Sequence, residues 1–174
     1  MDGTMWAVFA GALDSMNHVY KSTDHGVSWD AVAYFYWPPL HSIDKVEVVV
    51  GPGDSGFVYV FENLPSNNGD LRVLRFTRDG VLTGNFAVHV GDDTVSHFTA
   101  CRDFSGDNYW LYAVSHNAER PGTVPKSTLL RSTDYGKTWA VTDTVFNRAQ
   151  PRMAFGAGAC CYMSCVPNQG YFMG

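Results

Sequence analysis

Carboxylates and aromatic rings are the residues of this chain best suited to chemistry. Hydrolysis of a glycosidic bond needs two carboxyl groups flanking it at a fixed separation, and Asp14, Glu62, Asp92, Asp93 and Glu119 supply carboxylates in segments that read as loops. The remaining glutamate, Glu47, sits in a strand-like run between Val46 and Val48. Acidic residues also populate any solvated loop, so no pair stands out. The Ser, His and Cys residues show no nucleophile motif such as Gly-x-Ser-x-Gly. Cys101, Cys160, Cys161 and Cys165 lack the spacing of a zinc site, and they read as buried thiols or one disulfide. No catalytic residue, metal or cofactor follows from these patterns.

Binding has more to work with. Tyr34-Phe35-Tyr36-Trp37-Pro38-Pro39 sets a run of aromatic residues ahead of two prolines, and rings held on a stiff segment stack on sugars or peptide surfaces. Packing between structural units is the competing use of the same run; Trp37 is the ring expected outside if one is, with Tyr36 beside it. His41, Asp92, Asp93, His97, His116, Glu119 and Arg120 are polar candidates in neighbouring loops, each also readable as an ordinary solvated residue. The net charge of −5 offers no basic face for phosphate contacts, which argues against nucleic acid as a partner. Arg72, Arg75 and Arg78 read as a solvated face along one strand and turn. No apolar run is long enough for a membrane-spanning helix, so membrane insertion is not expected.

An internal repeat dictates what must position these side chains. Ser22-Thr23-Asp24-His25-Gly26-Val27-Ser28-Trp29 and Ser132-Thr133-Asp134-Tyr135-Gly136-Lys137-Thr138-Trp139 share one pattern. Thr77-Arg78-Asp79-Gly80 keeps its start, and the three aspartates are spaced 55 residues apart; in this middle copy Gly follows Asp directly and Gly84 stands where Trp would be. Each copy reads as a tight turn, with Asp accepting hydrogen bonds from turn amides, Gly supplying a positive φ, Ser or Thr adding a local bond, and Trp packing alongside. Ser22, Asp24, Gly26, Trp29, Asp79, Ser132, Asp134, Gly136 and Trp139 are thus assigned to structure. Around the turns, apolar runs at 6–10, 57–61 and 110–114 precede strands entering at 18–21, 71–76 and 127–131 and leaving at 29–32, 85–88 and 139–141, with one more strand at 45–50 and at 96–101. Four strands per unit of about 50 residues is the arithmetic of a propeller blade.

The repeat resembles the Asp-box, or bacterial neuraminidase repeat, which marks the hairpin between the third and fourth strands of a β-propeller blade in sialidases, xyloglucan-cleaving hydrolases, sortilin-type receptors and a photosystem assembly factor. That resemblance implies an all-β chain of four-stranded antiparallel blades. It divides into a partial blade over 1–43, a second over 44–95, a third over 96–150, and the inner strand of a further blade over 151–174. It also implies a secreted or cell-surface location, although the first residues lack the basic and apolar segments of a signal peptide. Sialidases carry an Arg-Ile-Pro motif, three arginines and a Tyr assisted by Glu. Here Arg-Ile-Pro is absent, with Arg120-Pro121 lacking the Ile and Pro151-Arg152 in the wrong order.

In such a blade the Asp-box turn shares one face with the first-to-second strand turn. The remaining loops, 11–17, 33–43, 62–70, 89–95, 115–126 and 145–151, gather on the other, where family active sites open. The expectation is therefore a recognition or scaffold module binding a glycan or a protein there. Part of an exo-acting glycoside hydrolase and a structural subunit of a surface assembly are the alternatives. About three blades fall short of the four to eight of closed rings, so the remainder of a longer chain or other subunits are expected to complete the ring.

Overall fold

The computed structural model describes residues 3–10, 16–36, 46–51, 56–63, 70–90, 94–102, 109–116, 126–146, 148–155 and 161–167. All regular structure among them is β. The first sheet holds β1 (Met5–Ala10), β2 (Met16–Ser22) and β3 (Asp30–Tyr36). The second holds β4 (Val46–Val50), β5 (Val58–Asn63), β6 (Asp70–Phe76) and β7 (Leu82–His89). The third holds β8 (Thr94–Arg102), β9 (Tyr109–His116), β10 (Lys126–Ser132) and β11 (Ala140–Phe146). A last pair is formed by β12 (Arg148–Phe155) and β13 (Cys161–Pro167). Spatial order follows chain order and every pairing is antiparallel, so each sheet is an up-and-down meander.

Two features depart from the sequence expectation. The segment after 150 contributes two strands rather than one inner strand, because the apolar run ending at Pro167 pairs back on β12 instead of leaving it alone. The aromatic run begins inside β3 rather than in a loop: Tyr34, Phe35 and Tyr36 pair with His18, Asn17 and Met16. Aromatic and β-branched residues suit a pleated, half-buried surface, and here that preference extends the strand as far as Tyr36.

Alternation decides how the sheets stack. Along the apolar run Val58–Phe61 that opens β5, Val58 and Val60 face the first sheet, packing with Val19, Ala33, Phe35, Leu74 and Phe76. Tyr59 and Phe61 face the third, packing with Phe98, Tyr109 and Leu130. A strand covered on both faces needs apolar residues at every position, which explains the unbroken run. Burial of each such side chain contributes about 1.5–3 kcal/mol. The leading strands β4, β8 and β12 lie side by side, with β1 next to β4.

The hairpin turns share one end of this stack. Lys21 Nζ donates to the Arg78 carbonyl at 3.2 Å. Arg78 in turn donates to the carbonyls of Gly51 (3.0 Å) and Gly56 (3.3 Å), beyond β4 and before β5. Tyr135 stacks edge-on to Phe57 at 6.5 Å. The β2–β3, β6–β7 and β10–β11 turns therefore lie beside the β4–β5 connection. By strand direction, the far end carries the Met16–Tyr36, Val46–Glu62, Asp70–His89 and Thr94–His116 pairs.

Candidate binding surface

The two matching turns are built atom for atom alike. Ser22 Oγ donates to Asp24 Oδ1 (2.7 Å) and accepts from the amide of Gly26 (2.8 Å). Asp24 accepts from the amide of Ser28 (2.9 Å) and from its hydroxyl (2.6 Å), and the Trp29 indole donates to the Gly26 carbonyl at 3.1 Å. In the third sheet Ser132, Asp134, Gly136, Thr138 and Trp139 repeat these bonds at 2.8, 2.9, 2.9, 2.6 and 3.2 Å, and the Lys137 amide adds one at 3.1 Å. Both turns use two successive left-handed residues, His25 and Gly26, then Tyr135 and Gly136. A positive φ was expected of the glycines alone. Nothing in the side chains of His25 and Tyr135 announces that they share it.

These carboxylates are committed to the turns. Bonds from the Ser28 hydroxyl, the Ser28 amide and Ser22 hold Asp24 at about 2, below its ordinary 3.8. Partial burial pushes Asp134 upward, but Thr138, Ser132 and Lys137 outweigh it and bring that carboxyl to about 2 as well. Both are acceptors locked in the ionised form, unsuited to general acid catalysis near neutrality.

The middle turn is a different device. It spans 77–81, between paired Phe76 and Leu82, whereas the matching turns span 22–29 and 132–139. The Thr77 hydroxyl accepts from the amides of Asp79 (3.3 Å) and Val81 (3.2 Å), and the Gly80 amide bonds the Thr77 carbonyl. Asp79 is exposed, and its carboxylate accepts no hydrogen bond among the described residues. Its assignment as a turn acceptor is thereby corrected: in this shorter loop the threonine does the work. Gly80 is required at φ 82°, where a Cβ would stand 2.1 Å from the Val32 carbonyl of the first sheet.

Of the binding candidates, Trp37, His41, Asp92, Asp93, Glu119 and Arg120 lie outside the described residues. Tyr36 ends β3, and His116 ends β9 paired with Thr94. His97, exposed on β8, lies opposite Val114. The strands thus bring Tyr36, His97 and His116 to the end opposite the turns. Cys101 is a half-buried thiol on β8.

The arginines do not form the solvated face expected of them. Arg72 is largely buried, and its Nε donates to Glu62, directly opposite on β5, while its guanidinium lies 5.8 Å from the Phe35 ring. Burial lowers the Arg72 pKa. Arg75 lies 4.5 Å over Phe57 and also donates to Thr83, and Arg78 holds the carbonyls of Gly51 and Gly56. Glu62 is fully buried, and its second oxygen has no hydrogen-bond partner among the described residues.

One surface went unrecognised in the sequence. Met5, Ala7 and Phe9 alternate with Trp6 and Val8, and Phe9, His18 and Tyr34 form one cross-strand row. Trp6, Val8, Val19, Ala33 and Phe35 face the second sheet, so this row faces away from it. Tyr34 is 70% exposed and Phe9 61%; Phe9 meets Tyr20 edge-on at 5.5 Å. Alternation in the run at 5–9 was the available signal. No protein-family model matches the chain, and a search of curated proteins finds no match.

Proposed function

We propose that the chain is a β-propeller segment of Asp-box type acting as a non-catalytic recognition or scaffold module, secreted or displayed at a cell surface. It would bind a glycan or a protein through the end of the sheets opposite the turns. Four-stranded meanders stacked face to face, with leading strands side by side, support the propeller reading. The observation that carries the functional one is the division of labour between the two ends. At one end Asp24 and Asp134 are consumed by the amides and hydroxyls of their own turns. At the other, the strands bring together His97 and the ends of β3 and β9, where Tyr36 and His116 stand.

The hydrolase alternative is weakened by Glu62, which is sealed from solvent against Arg72 and has no access to a substrate in this conformation. The test is retention on immobilised glycans and on extracellular protein extracts, comparing the wild type with Trp37→Ala, His97→Ala and Asp134→Ala. Binding should fall with the first two at unchanged melting temperature, and Asp134→Ala should lower stability first. Turnover of a chromogenic glycoside that disappears in Glu62→Gln would overturn the proposal.

A further inference from the structure

We infer that the open face of the first sheet, carrying Phe9, His18, Tyr20, Trp29 and Tyr34, is an interface for a second copy of this chain, added head to tail. The inference rests on the propeller-type stacking proposed above but concerns a different surface from the ligand end. Its basis is the contact already made between the second and third sheets. There Trp139 packs edge-on against Phe61 at 5.7 Å, and Leu130, two residues before Ser132, is buried. The Tyr59 hydroxyl donates to the Tyr135 carbonyl at 3.0 Å, and Gly136 approaches so closely that a Cβ would stand 2.8 Å from the Tyr59 ring.

The first sheet presents the same hardware with no other described strand packed on that face. Its turn repeats the same hydrogen bonds, Trp29 stands in the place of Trp139 and is exposed, and Tyr20, two residues before Ser22, takes the place of Leu130. Val27 in the turn is exposed, as are Met5, Phe9 and Tyr34 on the strands. An aromatic face this open, on a sheet whose opposite face is packed, is an interaction surface by the ordinary criterion. The repeat fixes the shape of the occupant as another meander sheet, and this chain supplies such sheets itself. Its last described strand, β13, pairs with β12 and no other strand among the described residues. A contact that joins one end of a molecule to the other end of its neighbour is heterologous, and it closes into a ring or continues as a filament.

Sedimentation and light scattering of the whole chain over a concentration series test this. The wild type should associate, and Tyr34→Glu and Phe9→Glu should each weaken association by about tenfold or more. Val141→Glu, exposed on β11 away from this face, should leave it unchanged. Circular dichroism checks folding, and if a glutamate variant unfolds, hydroxyl-radical footprinting of the wild type replaces it: Tyr34, Phe9 and Trp29 should become protected as concentration rises. A wild type that stays monomeric at every concentration overturns the inference, as does association indifferent to both substitutions. So does a monomer whose Tyr34 is protected only by an added polysaccharide. Loss of ligand binding by His97→Ala is scored separately, so failure of the interface and failure of the recognition reading are distinguishable.

Discussion

Replacing Asp134 and Asp79 by alanine should give opposite results, although the two residues occupy matching places in the sequence. The Asp134 carboxylate accepts from the Ser132 hydroxyl, the amides of Lys137 and Thr138, and the Thr138 hydroxyl. A hydrogen bond to a charged group contributes about 1.5–3 kcal/mol when its donor would otherwise be stranded. Here the bonds to Lys137 and Thr138 are exposed, so water replaces much of what is lost. Ser132, buried beneath the turn, keeps the Gly136 amide as a donor but loses its own acceptor. The net cost of Asp134→Ala is therefore about 2 kcal/mol, or a fall of about 4–8 °C in melting temperature for a domain of this size. Asp79→Ala removes an exposed side chain that makes no bond in its turn, and should stay within about 0.5 kcal/mol of wild type. Urea and thermal unfolding of the two variants side by side provide the assay. Equal losses would refute the assignment of Thr77 as the middle turn's acceptor, and an unchanged midpoint in Asp134→Ala would refute the structural role of the repeated aspartates.

Trp139→Ala should cost about 3 kcal/mol in equilibrium unfolding, the low end for a large aromatic, because the ring is only partly buried against Phe61; Trp29→Ala, exposed and with no such neighbour among the described residues, should cost less. Acid should destabilise the fold through the two turn carboxylates. Their folded values near 2 lie below the ordinary 3.8, so their contribution is complete above about pH 5 and is lost as pH falls through 3.8 toward 2; in Asp24→Asn/Asp134→Asn the slope of stability against pH across that window should be shallower. Arg72→Met should cost about 3–5 kcal/mol by leaving Glu62 charged and buried, whereas joint replacement by Arg72→Met and Glu62→Leu should recover most of the loss, as read from urea midpoints.

Much of the secondary structure is legible in the sequence because strands here obey simple rules. Apolar and β-branched runs such as Val58-Tyr59-Val60-Phe61 are strands, and Ser-Thr-Asp-x-Gly is a turn. Register and facing are another matter. The equal spacing of Asp24, Asp79 and Asp134 suggested three equivalent turns, yet the middle loop is shorter and its acceptor is a hydroxyl. A slip of one residue exchanges the two faces of a strand, so composition could not show that Arg72 points inward to Glu62 while Tyr34 points out. That ion pair joins residues opposite each other across a hairpin, and it becomes visible only once the hairpin's register is known. The aromatic run misled for a related reason. Pro38 and Pro39 announce a break, but the strand before them continues through Tyr36.

The turns also explain why the repeat holds more than a hairpin. Each of the second and third turns grips the sheet before it, by a route suited to its own residues. In the third, the left-handed Tyr135 aims its carbonyl at the Tyr59 hydroxyl, and Gly136 leaves room for that ring. Burial, then the bond with Tyr109, raises the Tyr59 pKa well above its ordinary value, so the phenol remains a donor across the whole working range of pH. In the second, Gly80 sits against the Val32 carbonyl while Lys21 reaches the Arg78 carbonyl. A side chain at either glycine would collide with the neighbouring sheet as well as strain its own backbone. The turn sequence is thus read twice, once by its own hairpin and once by the adjacent sheet. That double constraint ties the spacing of the motif to the stacking of the sheets, and it gives the bare turn of the first sheet its meaning as one half of a contact.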